Sequence, residues 1–206
     1  MPQVLKPEVR ARILSAGLEI FAAQGYLGAT MNAIAEQAGL AAASLYRYFP
    51  SKAELFEAAI TPELAAQFEH LLERRVRALA EQPAAASFKP GASYGAEMLE
   101  FWLEHRLAVV VLLDRAQGSA YEHYGERFVK LLLKSTLEQI RSSGPDVQIT
   151  APARLVLTRI FESTRTTLAS ILAHSDNPRL LREAIEAFWS YQIPGLYGFA
   201  LWVRKA

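Results

Sequence analysis

Residues 30–55 read TMNAIAEQAGLAAASLYRYFPSKAEL, and the spacing within this stretch decides the fold. Thr30 can cap a short helix running to about Gln37, because its hydroxyl can accept from an orphan amide of the first turn. Gly39 interrupts only two residues later, and a further helix fits from about Ala41 to Tyr48. Ala35, Gly39 and Leu45 stand four and six residues apart, with apolar Ile34, Ala38, Leu40 and Tyr48 around them, as a helix-turn-helix requires. Ala35 is small where two helices approach, Gly39 can take a positive φ in the tight turn, and Leu45 packs the second helix inward. Helical spacing puts Ala41, Leu45 and Tyr48 on one face of that second helix and leaves Ala42, Ala43, Ser44, Tyr46 and Arg47 facing outward.

The pattern continues on both sides. Upstream, Val9, Ile13, Ile20 and Phe21 recur at near-helical spacing from Pro7 to Ala23. Pro7 suits a first turn and Gly25 suits the left-handed residue that ends such a helix. Downstream, Ser51 and Glu54 match a capping box, in which each side chain satisfies an orphan amide of the following helix. Thr61-Pro62 kinks or restarts that helix. Residues 81–91 carry two prolines without periodicity and read as a loop. Helical patterning then covers about 93–115, 120–141, 151–173 and 178–203, with separators near Gly118-Ser119, Ser143–Asp146 and Ser175–Pro178. Ser119 with Glu122 matches a second capping box, while Pro152 and Pro178 sit just inside their helices. Pro194-Gly195 is expected to kink or end the last one. No stretch alternates long enough for a strand, so the expected class is all-α. It divides into a helix-turn-helix domain of three helices over residues 1–52 and a helical domain over residues 53–206.

Composition bounds the chemistry. The chain has 206 residues, 51% of them hydrophobic, and a net charge of +1, so any contact with a polyanion must be local. Absence of cysteine excludes disulfides and thiolate chemistry and agrees with a reducing compartment. The longest apolar run, Leu107–Leu113, falls far short of the roughly 20 residues that span a bilayer. Met1–Lys6 shows no apolar signal stretch. No membrane association is expected, and cytoplasm is the expected location. Gly91-Ala92-Ser93-Tyr94-Gly95 matches the G-x-S-x-G of a hydrolase elbow, yet the preceding residues lack the strand that elbow needs. The four histidines form no metal spacing and the glycines no phosphate loop, so neither enzyme activity nor a cofactor is expected.

The outward face of the Ala41–Tyr48 helix has the dimensions and chemistry to enter a DNA major groove. Arg47 can reach guanine or phosphate, Tyr46 can donate to phosphate, and Ala42 or Ala43 can touch a thymine methyl. Lys52 and the amides of the following helix start offer a further phosphate contact. At this point the chain resembles the tetracycline-repressor (TetR) family of bacterial regulators. The resemblance rests on Ala11–Phe21, on Gly25–Ala35, and on Ala38-Gly39-Leu40 followed by Ser44–Leu55.

The resemblance implies a homodimer that reads palindromic operator DNA, usually as a repressor, and a helical C-terminal domain whose small-molecule effector releases the DNA. Carried over by position, Thr30, Tyr46 and Lys52 look like phosphate contacts, and Ala42, Ala43, Ser44 and Arg47 look like groove-facing residues. Tyr48 stands where family members often carry a DNA-contacting histidine, and Ala41 stands where they often carry a hydroxyl. Residues 1–60 hold five basic against five acidic side chains, which points to modest non-specific affinity. A helical small-molecule-binding protein with weak or lost DNA binding is the second reading.

For the effector, the dense aromatic and ionisable residues of 94–130 supply Phe101, Trp102, His105, Arg106, Tyr121, Tyr124 and Phe128, with Phe161 and Arg165 closing a far wall. A mostly apolar pocket with a few polar anchors suits a small hydrophobic or amphipathic ligand. The same aromatics at helical spacing also fit plain core, and the arginines also fit pairs with Asp114, Glu104 or Glu162. The last two helices carry more apolar surface, from Leu157 to Leu172 and from Ile185 to Phe199, than one protomer's core absorbs. In the family these positions build a four-helix dimer interface.

Overall fold

The computed structural model describes residues 6–81, 93–142 and 148–204. Among them the chain is helical throughout, with no strand. The helices are α1 (Pro7–Gly28), α2 (Met31–Gln37), α3 (Ala42–Tyr48), α4 (Lys52–Ala59), α5 (Pro62–Glu81), α6 (Ser93–Glu104), α7 (Arg106–Val110), α8 (Tyr124–Ser142), α9 (Ala151–His174) and α10 (Pro178–Val203). A π-helical turn, Val111–Arg115, continues α7. The expected loop at 81–91 and the separator at Ser143–Asp146 lie outside the described residues almost entirely.

Local chemistry explains most of the boundaries. Pro7 opens α1, and Gly25 breaks its helical geometry at φ 73°, so the last turn to Gly28 runs in a new direction. Thr30 caps α2, accepting from the Ala33 amide at 3.1 Å. Gly39 turns at φ 64°, and α3 then starts without a side-chain cap because Ala41 has no hydroxyl. Thr61-Pro62 restarts the chain as α5. Thr150 and Asn177 cap α9 and α10, each just before its proline.

Three expectations are corrected, and one open point, whether the last helix ends at Pro194, is decided. At Ser51 the hydroxyl accepts from the Glu54 amide, but the Glu54 carboxylate returns to that hydroxyl rather than to a backbone amide. The expected helix 93–115 breaks at His105, whose φ of −106° and ψ of 28° are non-helical. Ser119 and Glu122 form no capping box: the Ser119 hydroxyl donates to the Ala116 carbonyl and accepts from the Tyr121 amide, so residues 119–123 are turns and α8 starts at Tyr124. Finally, α10 runs through Pro194 to Val203. Pro194 removes one amide from the ladder, yet Trp189, Ile193 and Val203 are buried on both sides of it, and that packing outweighs the local cost.

The core is continuous along the chain. Ala108 to Leu113 are all at most 2% exposed, which makes α7 and the π turn a helix buried all round. This segment packs on α1 at one side and on α9 at the other. Helix α4 packs on α1 through Leu55 and Phe56, α5 packs on α6 and α8, and α10 covers α6 and α9. One apolar cluster thereby joins the helix-turn-helix to the C-terminal helices, running from Ile13 to Ile193.

Candidate nucleic-acid interface and effector region

Helix α2 packs on α1, and α3 packs on α2 at the surface. Ile34, Ala35 and Leu45 are fully buried, which fixes the α2–α3 angle about Gly39. On α3, Ala43, Tyr46 and Arg47 are exposed, Ser44 is half-buried, and Arg47 Nη2 donates to Ser44 Oγ at 3.1 Å. Ala42 turns inward more than helical spacing suggested, Tyr48 is half-buried on the inward face where that spacing puts it, and Ala41, expected on the same face, is exposed. Ala42 packs partly on the core, and the half-buried Tyr48 lends its hydroxyl as acceptor for the Lys6 amide at 3.1 Å. Thr30 is exposed at the edge of the same surface, its hydroxyl already engaged as the α2 cap.

Lys52 has a different local role. Its ammonium donates to the Tyr26 carbonyl at 2.7 Å and the Ala29 carbonyl at 2.9 Å, and lies 4.5 Å from the centre of the Tyr26 ring. The side chain therefore clamps the start of α4 to the chain reversal after Gly25. Sequence spacing gave no sign of this, since the acceptors are backbone carbonyls 23 and 26 residues away. Arg10 is a second cation the sequence reading left unassigned; its guanidinium lies 5.2 Å from the centre of the Phe49 ring.

The nine effector candidates separate into two groups. Phe101, Trp102, Tyr124, Phe128 and Phe161 are buried, and the first four gather around Phe68 at ring-centre distances of 5.7, 6.4, 5.8 and 6.0 Å. The Tyr124 hydroxyl donates to the Ala65 carbonyl at 3.1 Å, and its burial pushes the phenol far above its usual pKa, fixing it as a neutral donor. The polar members act as ties between helices. Arg106 donates to the Leu172 carbonyl at 2.9 Å; Arg165 donates to the Leu113 carbonyl and pairs with Asp114 at 3.0 Å. His105 sits at the break before α7, half-buried, its ring 4.7 Å from that of Phe101. Tyr121 is half-buried between Phe56 and Tyr124.

Tyr124 and Phe128 border a small cavity of about 190 Å³, and two larger grooves lie mostly away from the nine. A groove of about 760 Å³ runs between the π turn, α8 and α9, lined by Leu113, Asp114, Glu126, Val129, Arg159 and Arg165 among others, so it takes in Arg165 alone of the nine. A shallower groove of about 590 Å³ lies on α9 and α10, lined by Leu155, Val156, Ile160, Tyr191 and Leu196 among others.

Against known proteins, residues 13–59 match the family model for bacterial regulatory proteins of the tetR family. That span holds the whole helix-turn-helix with the helices packed on either side of it. By this N-terminal domain the chain is similar to the TetR family. It is 45% identical over 67 residues to the HTH-type transcriptional repressor KstR of Rhodococcus jostii (strain RHA1), a match covering 32% of this chain and 30% of KstR. It is 42% identical over 53 residues to the HTH-type transcriptional regulator SrpR of Pseudomonas putida, covering 26% of this chain and 25% of SrpR. These curated relatives are thus matched over less than a third of their length. The similarity of fold extends further: a TetR family transcriptional regulator from Chloroflexus aurantiacus J-10-FL superposes with a TM-score of 0.53 at 20% identity, covering 98% of this chain and 94% of that one. Residues 13–59 therefore carry a helix-turn-helix domain of the tetR type, and the chain as a whole shares the all-helical fold of a regulator of that family.

Proposed function

We propose that this chain is a TetR-family repressor that binds a palindromic operator as a homodimer and is released by a small hydrophobic or amphipathic effector. Residues 1–52 act as the DNA-reading unit and residues 53–206 as the responding and dimerising unit, in the cytoplasm. The observation that carries the reading is the exposed face of α3. Ala43, Tyr46 and Arg47 stand outward on a helix whose opposite side is locked by Leu45, and Thr30 marks the edge of the same surface. Arg47 supplies the strongest base or phosphate contact, Tyr46 and Thr30 phosphate contacts, and the alanines methyl contacts. With few hydrogen-bonding side chains on α3, DNA shape carries a larger share of specificity.

Support for the dimer comes from α9 and α10. Leu155, Val156, Tyr191, Leu201 and Trp202 are each 47% to 80% exposed, and they lie on the last two helices together with the shallow groove. Large apolar side chains concentrated on one pair of helices mark an interaction surface. A two-fold axis through it forms a four-helix interface and pairs two α3 helices.

The second reading, a small-molecule-binding protein with weak DNA affinity, is favoured by the charge balance of residues 1–60, five basic against five acidic. Titration of DNA fragments from around the protein's own gene at two salt concentrations, with Arg47→Ala alongside, separates the two. The repressor reading expects sequence-specific affinity that falls with salt and drops by about tenfold or more in Arg47→Ala. Absence of specific binding under every condition supports the second reading.

A further inference from the structure

Arg75 lies on the inner face of α5 and is only 7% exposed, yet it meets no carboxylate among the described residues. The acidic groups nearby on α6 are already engaged: Glu97 pairs with Arg74 at 3.0 Å, and Glu100 with Arg182 at 2.8 Å. The guanidinium instead sits 5.4 Å from the centre of the Trp189 ring on α10. Helix α6 passes close over it at Gly95, where a Cβ would stand 3.4 Å from the guanidinium carbon. A second orphan donor flanks the same ring. Trp102 is 3% exposed, its ring centre is 5.6 Å from that of Trp189, and its indole N–H has no acceptor among the described residues.

A buried cation without a counter-charge is costly, and burial indeed pushes the Arg75 pKa down. An orphan indole N–H adds a further cost. Both costs disappear if an anion enters. We propose that Arg75 and Trp102 anchor a site for a monocarboxylate on an apolar body, held between α5, α6 and α10; the inference rests on the effector-responsive reading above and names its ligand class. The guanidinium fork lying over an indole face keeps its N–H donors in its own plane, which suits bidentate capture of a carboxylate. A single buried guanidinium matches one negative charge rather than a phosphate dianion. Phe68, packed on Phe101 and Trp102, and Trp189, packed on Trp102, make the surroundings of the two donors apolar, as the body of such a ligand requires. Of the nine candidates drawn from sequence, Trp102 and Phe101 belong to this site; Arg75, Trp189 and Phe68 were missed because they come from α5 and α10, far away along the chain.

The test uses the full-length protein without DNA, so its failure is distinguishable from a failure to bind operator. Thermal unfolding is followed with octanoate, decanoate and naphthaleneacetate, each beside the alcohol of the same skeleton. At least one carboxylate is expected to raise the midpoint in a saturable way and to bind about tenfold or more tightly than its alcohol. Arg75→Met is expected to unfold no earlier than the wild type without ligand, since a buried lone charge is removed, and to lose about tenfold or more in carboxylate affinity. Trp102→Phe, which removes the indole donor and keeps an aromatic ring, is expected to lose a smaller part of that affinity and serves where Arg75→Met does not fold. Absence of binding by every carboxylate, equal binding of acid and alcohol, or full carboxylate affinity in the folded variants would overturn the proposal.

Discussion

Lys52 shows how a residue that resembles a DNA contact by position is committed to the fold by geometry. Its ammonium holds two backbone carbonyls and a tyrosine face at the junction of α1 and α4, and the terminal carbonyls of a helix have few other donors to satisfy them. Lys52→Met keeps the aliphatic stem and removes the donors. It is expected to destabilise the protein by about 2 kcal/mol, given the typical worth of hydrogen bonds to charged groups, measured by urea unfolding. A change within about 0.5 kcal/mol would show that the clamp contributes nothing beyond an ordinary surface lysine. Arg47 is the contrasting residue: exposed and on the outward face, it is expected to affect DNA affinity without affecting stability. The side chain that decides each case was visible in the sequence, but its acceptors were not, because they are main-chain atoms brought near by the turn after Gly25.

At the scale of elements, the π turn Val111–Arg115 links the two halves of the molecule. It packs on α1, and it borders the groove beside α8 and α9. Arg165 secures it through the Leu113 carbonyl and Asp114. Gly125 on α8 leaves the room this needs, since a Cβ there would stand 2.6 Å from the Leu113 carbonyl oxygen. That contact is with backbone, which cannot swing aside. Gly125→Ala is expected to cost about 1–3 kcal/mol by overpacking despite alanine's higher helix propensity, again read from urea unfolding. A stabilised Gly125→Ala would show that the turn adapts. The helix-turn-helix was legible because its signals are local: a cap at Thr30, a left-handed glycine at 39, small residues at the crossing. The breaks at His105 and Ser119 were not, because burial against other helices decides them and their local signals point the other way. The effector region was legible only as a density of aromatics, since the partners of Trp102 lie on helices distant in sequence.

For the whole molecule, the proposed dimer and the proposed DNA contact depend on each other. A palindromic operator needs two α3 helices held one DNA turn apart, and among the described residues most of the large exposed apolar side chains lie on α9 and α10. Tyr191, at 80% exposed, lines the shallow groove on that surface. Tyr191→Glu is expected to shift the protein from dimer to monomer in sedimentation velocity, because paired copies would bring two carboxylates together in an apolar interface. A wild type that sediments as a monomer at micromolar concentration, or a variant that remains fully dimeric, would place the interface elsewhere.

The central claim is that α3 reads operator DNA from a two-fold dimer, and a hydroxyl-radical footprint on a bound fragment from the protein's own gene region tests it most directly. The account predicts two protected half-sites related by a dyad, their centres about one helical turn, roughly 34–36 Å, apart, with both lost together in Arg47→Ala. Protection of a single site, or a footprint unchanged in Arg47→Ala, would contradict it.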